Sequence, residues 1–281
     1  MAEYKIISDS SCELPQEYIK DSRFLLVPFR FEIDGVPIRD NGEINSKSLV
    51  NRFVNSKTFA SLACPSPDVF YNSIAESDAK RVYLITISSK VSGCYFSAML
   101  AKKLYEDAHD DKQIFVIDSK SASGGECHLA LSAMELEESG LSFEGIKKEL
   151  TKCRDKMRTV VLYENFSALY KNIRFPKLKE VVRKAPNVKS IFFGDKEVED
   201  KSVGNICIKE SLNQLADSIA AALKDASEQT RIIITHCNNL IDAEKLRDLI
   251  MEKTGIKNFL IMNTSGLSSV LACDGGLFVT F

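Results

Sequence analysis

Three short turns in this chain are dense in hydroxyls, and each follows an apolar run that reads as a strand. Ser88-Ser89-Lys90-Val91-Ser92-Gly93 follows residues 82–87, Ser8-Asp9-Ser10-Ser11 follows residues 4–7, and Asp118-Ser119-Lys120-Ser121 follows residues 113–117. A strand that turns into a helix leaves backbone N–H groups without intrahelical partners, and serine hydroxyls beside them make a seat for a small anion such as a carboxylate or phosphate. If the three strands are parallel neighbours, the turns meet on one rim of one sheet, the edge at which open α/β sheets bind ligands. Ser92 and Gly93 are the first candidates for that seat, with Ser10, Ser119 and Lys90 as secondary ones.

Plainer roles compete with this one. Ser92 has the residue type and position to cap the helix that follows it. Lys90 fits a phosphate contact and a solvated side chain equally well. Asp9 and Asp118 have the chemistry for an acid–base pair, but hydrogen bonds that close their own turns suit them better. Gly124-Gly125 resembles a phosphate cradle, although close packing is the commoner reason for such a pair. No Gly-x-Ser-x-Gly elbow is present, so an esterase reading has little support and no catalytic residue is assigned. The 8 cysteines include no Cys-x-x-Cys pair, which argues against a zinc ribbon or a dithiol redox motif, and no metal ligand is assigned. For Cys64, Cys94 and Cys273, all in loop segments, a three-cysteine metal or redox site competes with small-residue replacement, which their sequence separation favours.

The elements that must position these residues alternate. Helices are predicted over about 46–57, 67–75, 95–108, 124–139, 143–156, 164–172, 176–184, 209–226 and 241–254, and a short one after Pro15. Strands are predicted at 4–7, 24–33, 82–87, 113–117, 158–162, 188–193, 202–208, 231–235 and 257–262, with an apolar finish at 277–281. Asp34-Gly35 ends the run 24–33 with a hairpin signal. The pattern predicts an α/β protein of two domains, 1–157 and 158–281. The first has a mainly parallel sheet flanked by helices, and the second is a smaller α/β sandwich.

Hydrophobic residues make up 44% and charged residues 27% of 281, the balance of a soluble protein with a sizeable core. Lys+Arg 37 against Asp+Glu 39 gives a net charge of −2, which points away from nucleic acid and from anionic membrane surfaces. No run approaches the roughly 20 apolar residues of a spanning helix, and the first residues do not read as a leader peptide. A cytoplasmic location without membrane insertion is expected.

The ordered motifs resemble those of the bacterial DegV family. Ser8-Asp9-Ser10-Ser11 with Leu14-Pro15 is similar to its Thr-Asp-Ser opening, and Val27-Pro28, Ile33-Asp34-Gly35 and Asp40 follow in family order. Cys64-Pro65-Ser66-Pro67 is similar to its Thr-Ser-Gln-Pro-Ser-Pro segment, Ser88-Ser89-Lys90-Val91-Ser92-Gly93 to its Ser-Ser-Lys-Leu-Ser-Gly signature, and Ile117-Asp118-Ser119 to its Asp-Ser strand end. Leu169-Tyr170-Lys171-Asn172-Ile173-Arg174 resembles its Tyr-Leu-Lys-x-Gly-Gly-Arg segment.

The resemblance implies a non-catalytic carrier without a cofactor. It would hold one long-chain fatty acid in a tunnel of the first domain, with the carboxylate near the domain interface, where a fatty-acid kinase can reach it. It further implies that Ser92 and Gly93 receive the carboxylate and that Arg174 adds a charged donor from the second domain. The chain departs from the family at two polar positions. Leu62 stands at a threonine, with Ser61 beside it as a substitute, and Ala272 stands at the head-group histidine. These departures leave open a different head group. Two other readings stand beside the carrier: a hydrolase or phosphotransferase using Asp9, Asp118 and the serine turns on a small phosphorylated molecule, and an interaction-only role.

Overall fold

A computed structural model of the protein describes residues 3–42, 44–57, 61–163, 190–193 and 208–281. Strands β1 (Tyr4–Asp9), β2 (Phe24–Val27), β6 (Arg81–Thr86) and β7 (Gln113–Asp118) form a sheet in the order β2-β1-β6-β7, every pair parallel. The chain adds β2 on one side of β1 and then β6 on the other. The order therefore reverses at β1/β6, and an open sheet has a crevice beyond the carboxyl ends at such a point.

Alternate residues of these strands serve opposite faces, as the pleat requires. Ile7, Val82, Leu84 and Val116 face helices α2 (Ser46–Val54), α3 (Pro67–Ala75) and α4 (Cys94–Ala108) through Leu49, Phe53, Phe70, Ile74 and Ala98. Ile6, Tyr83, Ile85 and Ile117 face α5 (Gly124–Glu138) and α6 (Phe143–Lys156) through Leu129, Ala133, Ile146 and Leu150. The short α1 (Gln16–Ile19) leads into β2.

The run 24–33 is not one strand. After β2 the chain breaks at Pro28-Phe29, and β3 (Arg30–Ile33) leaves for a three-stranded antiparallel sheet, β4-β3-β5, with β4 (Val36–Arg39) and β5 (Ser61–Ala63). Proline has no N–H for a ladder, which suits a break at that point. Asp34 and Gly35 turn the β3–β4 hairpin with φ of 53° and 75°, the left-handed pair that tight hairpins need.

The remaining strands make a mixed sheet in the order β11-β10-β12-β8-β9. They are β8 (Thr159–Leu162), β9 (Ser190–Phe193), β10 (Ile232–His236), β11 (Phe259–Asn263) and β12 (Leu277–Thr280). Only β10 and β11 run parallel. Helices α7 (Ile208–Ala222) and α8 (Leu240–Thr254) pack on it through Leu212, Ile219, Leu246 and Ile250.

One helix has no counterpart in the sequence reading. Helix α9 (Gly266–Ala272) leaves the second sheet and inserts Leu267, Val270 and Leu271 into the core of the first half, beside Phe31, Leu49 and Phe53. The predicted helices at 164–172 and 176–184, and most of the predicted strand at 202–208, lie outside the described residues; Ile208 itself begins α7.

Candidate ligand site at the rim of the parallel sheet

The turns after β1, β6 and β7 do meet on one rim, because these strands are adjacent and parallel. Each is closed by a carboxylate at a strand end. Asp118 Oδ1 accepts from the N–H of Ser89 at 3.1 Å and of Lys120 at 2.9 Å, and its Oδ2 accepts from Ser89 Oγ at 2.5 Å. Asp9 Oδ2 accepts from the N–H of Ile87 at 2.8 Å, and its Oδ1 accepts from Ser11 N at 3.1 Å and Ser11 Oγ at 2.7 Å. The buried Cys94 lies near Asp9, and burial together with the Asp9 charge pushes its thiol pKa up. Asp9 thus grips the start of the Ser88–Gly93 turn through Ile87.

Within that turn, the N–H groups of Val91 and Ser92 bond the Ser88 carbonyl at 2.9 and 3.0 Å. Ser92 is half-buried, and its Oγ accepts from Cys94 N, the first N–H of α4, at 3.2 Å, although Gly93 and not Ser92 is the N-cap residue. This bond uses a lone pair and not the hydroxyl hydrogen, so the same side chain can still donate to an anion. Gly93 is exposed, and a Cβ added there would lie 3.7 Å from Cys64 Sγ. Lys90 is exposed beside it.

The other candidates are placed differently. Ser119 is fully buried and exchanges bonds with Ser121, accepting from its N–H at 3.0 Å and donating to its carbonyl at 3.1 Å. Ser10 is buried, donating to Asp40 Oδ2 at 2.8 Å and accepting from Phe29 N at 2.9 Å. Strand alternation on β5 turns Ser61 to solvent while Leu62 packs toward the core. Ala272, buried at the end of α9, brings no polar atom from its side chain. Arg174 lies outside the described residues. The Gly124-Gly125 pair is a packing feature: added Cβ atoms would lie 2.9 Å from Ile233 Cγ2 and 2.0 Å from Ser121 Oγ.

Sequence reasoning overlooked the acids beneath the rim. Glu13 receives Ser265 N at 2.9 Å and Ser265 Oγ at 3.0 Å, and Asp40 Oδ2 receives Leu267 N at 3.0 Å. Two carboxyls from the first half thereby hold the start of α9. Burial pushes Glu13 up to about 8 and Asp40 up to about 6. Asp40 presses so closely on Gly266 that an added Cβ would fall 1.7 Å from its Oδ1. Ser268 Oγ completes the joint by donating to the Ser11 carbonyl at 2.8 Å.

Comparison with known proteins places this arrangement in context. The family model described as an uncharacterised protein of the DegV family matches residues 3–278. A DegV domain-containing protein of Streptococcus gordonii is 33% identical over 285 residues, covering 99% of this chain and 98% of that protein. A DegV family protein of Ruminococcus gnavus, solved with vaccenic acid, superposes with a TM-score of 0.88 at 30% identity, over 99% of each chain. The Fatty Acid Kinase (Fak) B3 protein of Streptococcus pneumoniae, loaded with linoleic acid, superposes with a TM-score of 0.86 at 28% identity, over 100% of this chain and 99% of that one. Motif order, sheet topology and whole-length similarity agree, and the chain belongs to the DegV family.

Proposed function

We propose that this protein carries one long-chain fatty acid and presents its carboxylate at the β1/β6 rim, where a fatty-acid kinase can act on it. The reading is supported above all by whole-length similarity to proteins solved with vaccenic and linoleic acid. Each methylene withdrawn from water contributes about 0.8 kcal/mol, so the tail supplies most of the affinity and the head group sets orientation. This reading seats the tail at the apolar cluster on the α2–α4 side of the sheet, which the partly buried Leu62, Val91 and Tyr95 border. Ser92 and Gly93 receive the carboxylate, and Arg174 contributes a forked cation from the second of two domains divided near residue 157. Ser10 and Ser119 act as braces of the rim in this reading. Ser61 and Ala272 give the head group nothing comparable to a charged donor, so its hold depends on Ser92 and Arg174.

The carrier needs no cofactor and no catalytic residue. Both candidate acid–base groups, Asp9 and Asp118, already hold turns together, which weighs against a hydrolase or phosphotransferase. No helix among the described residues is long and apolar enough to cross a membrane, in keeping with a cytoplasmic carrier. Native mass spectrometry of the purified protein tests the reading. A co-purifying mass of one long-chain acid, restored after delipidation, is the expected result; a protein that takes up no such acid contradicts it.

A further inference from the structure

Glu126, in the first turn of α5, is fully buried beneath the Ser8–Ser11 turn. Its Oε2 contacts Ser11 Oγ, and its Oε1 lies 3.4 Å from Ser8 Oγ. Both hydroxyls have another acceptor: Ser8 donates to the Ile85 carbonyl at 2.8 Å, and Ser11 Oγ lies 2.7 Å from Asp9 Oδ1. A hydroxyl has one hydrogen and can donate it to one oxygen only. Asp9 and Glu126 cannot both accept from Ser11, so one contact is left without a hydrogen unless a carboxyl brings its own. Asp9 receives two backbone N–H groups, donors that favour its charged form. The titratable groups facing Glu126 are Asp9 from β1, Cys12 and Glu13 from the segment after it, and Cys94 from α4, all acids or thiols. Cys127, beside it on α5, faces Arg231.

We infer that Glu126 is held as a neutral carboxylic acid donating to Ser11, that Asp9 carries the one negative charge, and that this proton-sharing pair positions the Ser92 hydroxyl. The linkage runs through contacts: Glu126 satisfies Ser11, Ser11 donates to Asp9, Asp9 holds Ile87, and the next residue, Ser88, receives the N–H of Ser92. Burial raises the pKa of both carboxyls, and the nearby charge of Asp9 adds to the effect on Glu126. Loss of the Glu126 proton would set two like charges on one serine and loosen the grip of Asp9 on the turn. Glu126 is therefore a positioning residue for the head-group seat. Its protonation stands independently, whereas its effect on ligand rests on the proposed fatty-acid function.

Infrared difference spectroscopy and fatty-acid titration test the two parts separately. At neutral pH the wild type should show the carbonyl band of a protonated carboxylic acid, with one component removed by Glu126→Gln and left in place by Glu13→Gln. Should Glu126→Gln fail to fold, Ser11→Ala must shift that same component by removing its acceptor. In a Glu13→Gln background, which removes the other buried acid raised to about 8, fatty-acid affinity should fall about three- to tenfold as pH rises and the Glu126 proton is lost, and adding Glu126→Gln, which donates but cannot ionise, should flatten that fall. A spectrum without the component overturns the neutral acid. A flat profile in that background, or a slope that survives when Glu126→Gln is added to it, overturns the positioning role. A wild type that binds no fatty acid defeats the proposed function, and the infrared band still decides the state of Glu126.

Discussion

At the scale of single residues, Ser92 shows how one side chain serves the fold and a ligand together. It accepts from Cys94 N and keeps a hydrogen to donate. Ser92→Ala should leave the fold intact and weaken fatty-acid affinity by about 1–2 kcal/mol, the range for one hydrogen bond to a charged group, as read by calorimetric titration. Asp118 makes a contrasting case. Asp118→Asn keeps an Oδ1 acceptor for Ser89 and Lys120, so stability should change by less than about 1 kcal/mol and ligand uptake should persist. Loss of a turnover in that variant would instead favour an enzyme. The turn-closing role of both aspartates was legible in the sequence, because Asp-Ser and Asp-x-Lys pairs fold back on their own backbone. The bond from Asp9 to Ile87 was not, since it joins residues brought together only by strand pairing. Glu126 was hidden for a similar reason: on a helix it reads as a first-turn acid, a common surface feature.

At the scale of elements, local signals worked where an element stabilises itself. Asn45 accepts from Ser48 N and Ser142 from Gly145 N, and both helix starts lie where their caps put them. The β2/β3 break and helix α9 were missed because distant partners determine them. Helix α9 offers only Leu267, Val270 and Leu271 as a helical pattern, and its first N–H groups are satisfied by Glu13 and Asp40 from far along the chain. Two predictions follow from that joint. Gly266 has φ of 33° and no room for a Cβ against Asp40, so Gly266→Ala should destabilise the protein by about 2 kcal/mol or more in chemical denaturation. The second concerns pH. Glu13 and Asp40 have folded pKa values of about 8 and about 6, above the usual carboxylate range, so the folded state binds more protons than the unfolded chain. Their contribution is complete below the unfolded values and is lost as pH rises through 6 and then 8. The denaturation midpoint should therefore fall across that window, and Glu13→Gln should remove its upper part.

At the scale of the whole molecule, the parallel neighbourhood of β1, β6 and β7 was legible as a condition: three serine turns share a rim if their strands are adjacent. Sheet pairing meets the condition, and the reversal at β1/β6 puts that rim where open α/β sheets bind their ligands. The mixed order of the second sheet could not be read in advance, because β12 pairs between β8 and β10 for reasons of packing rather than of its own four residues. Arg174, the charged donor the resemblance assigns to the second half, lies outside the described residues. The account thus rests on Ser92 and its rim. Carbon-13 NMR of carboxyl-labelled palmitate added to the delipidated protein tests it most directly. A single bound carboxyl resonance, displaced from the free acid and moved again by Ser92→Ala, is the predicted result. A labelled carboxyl that stays at its free position in the presence of the wild-type protein would contradict it.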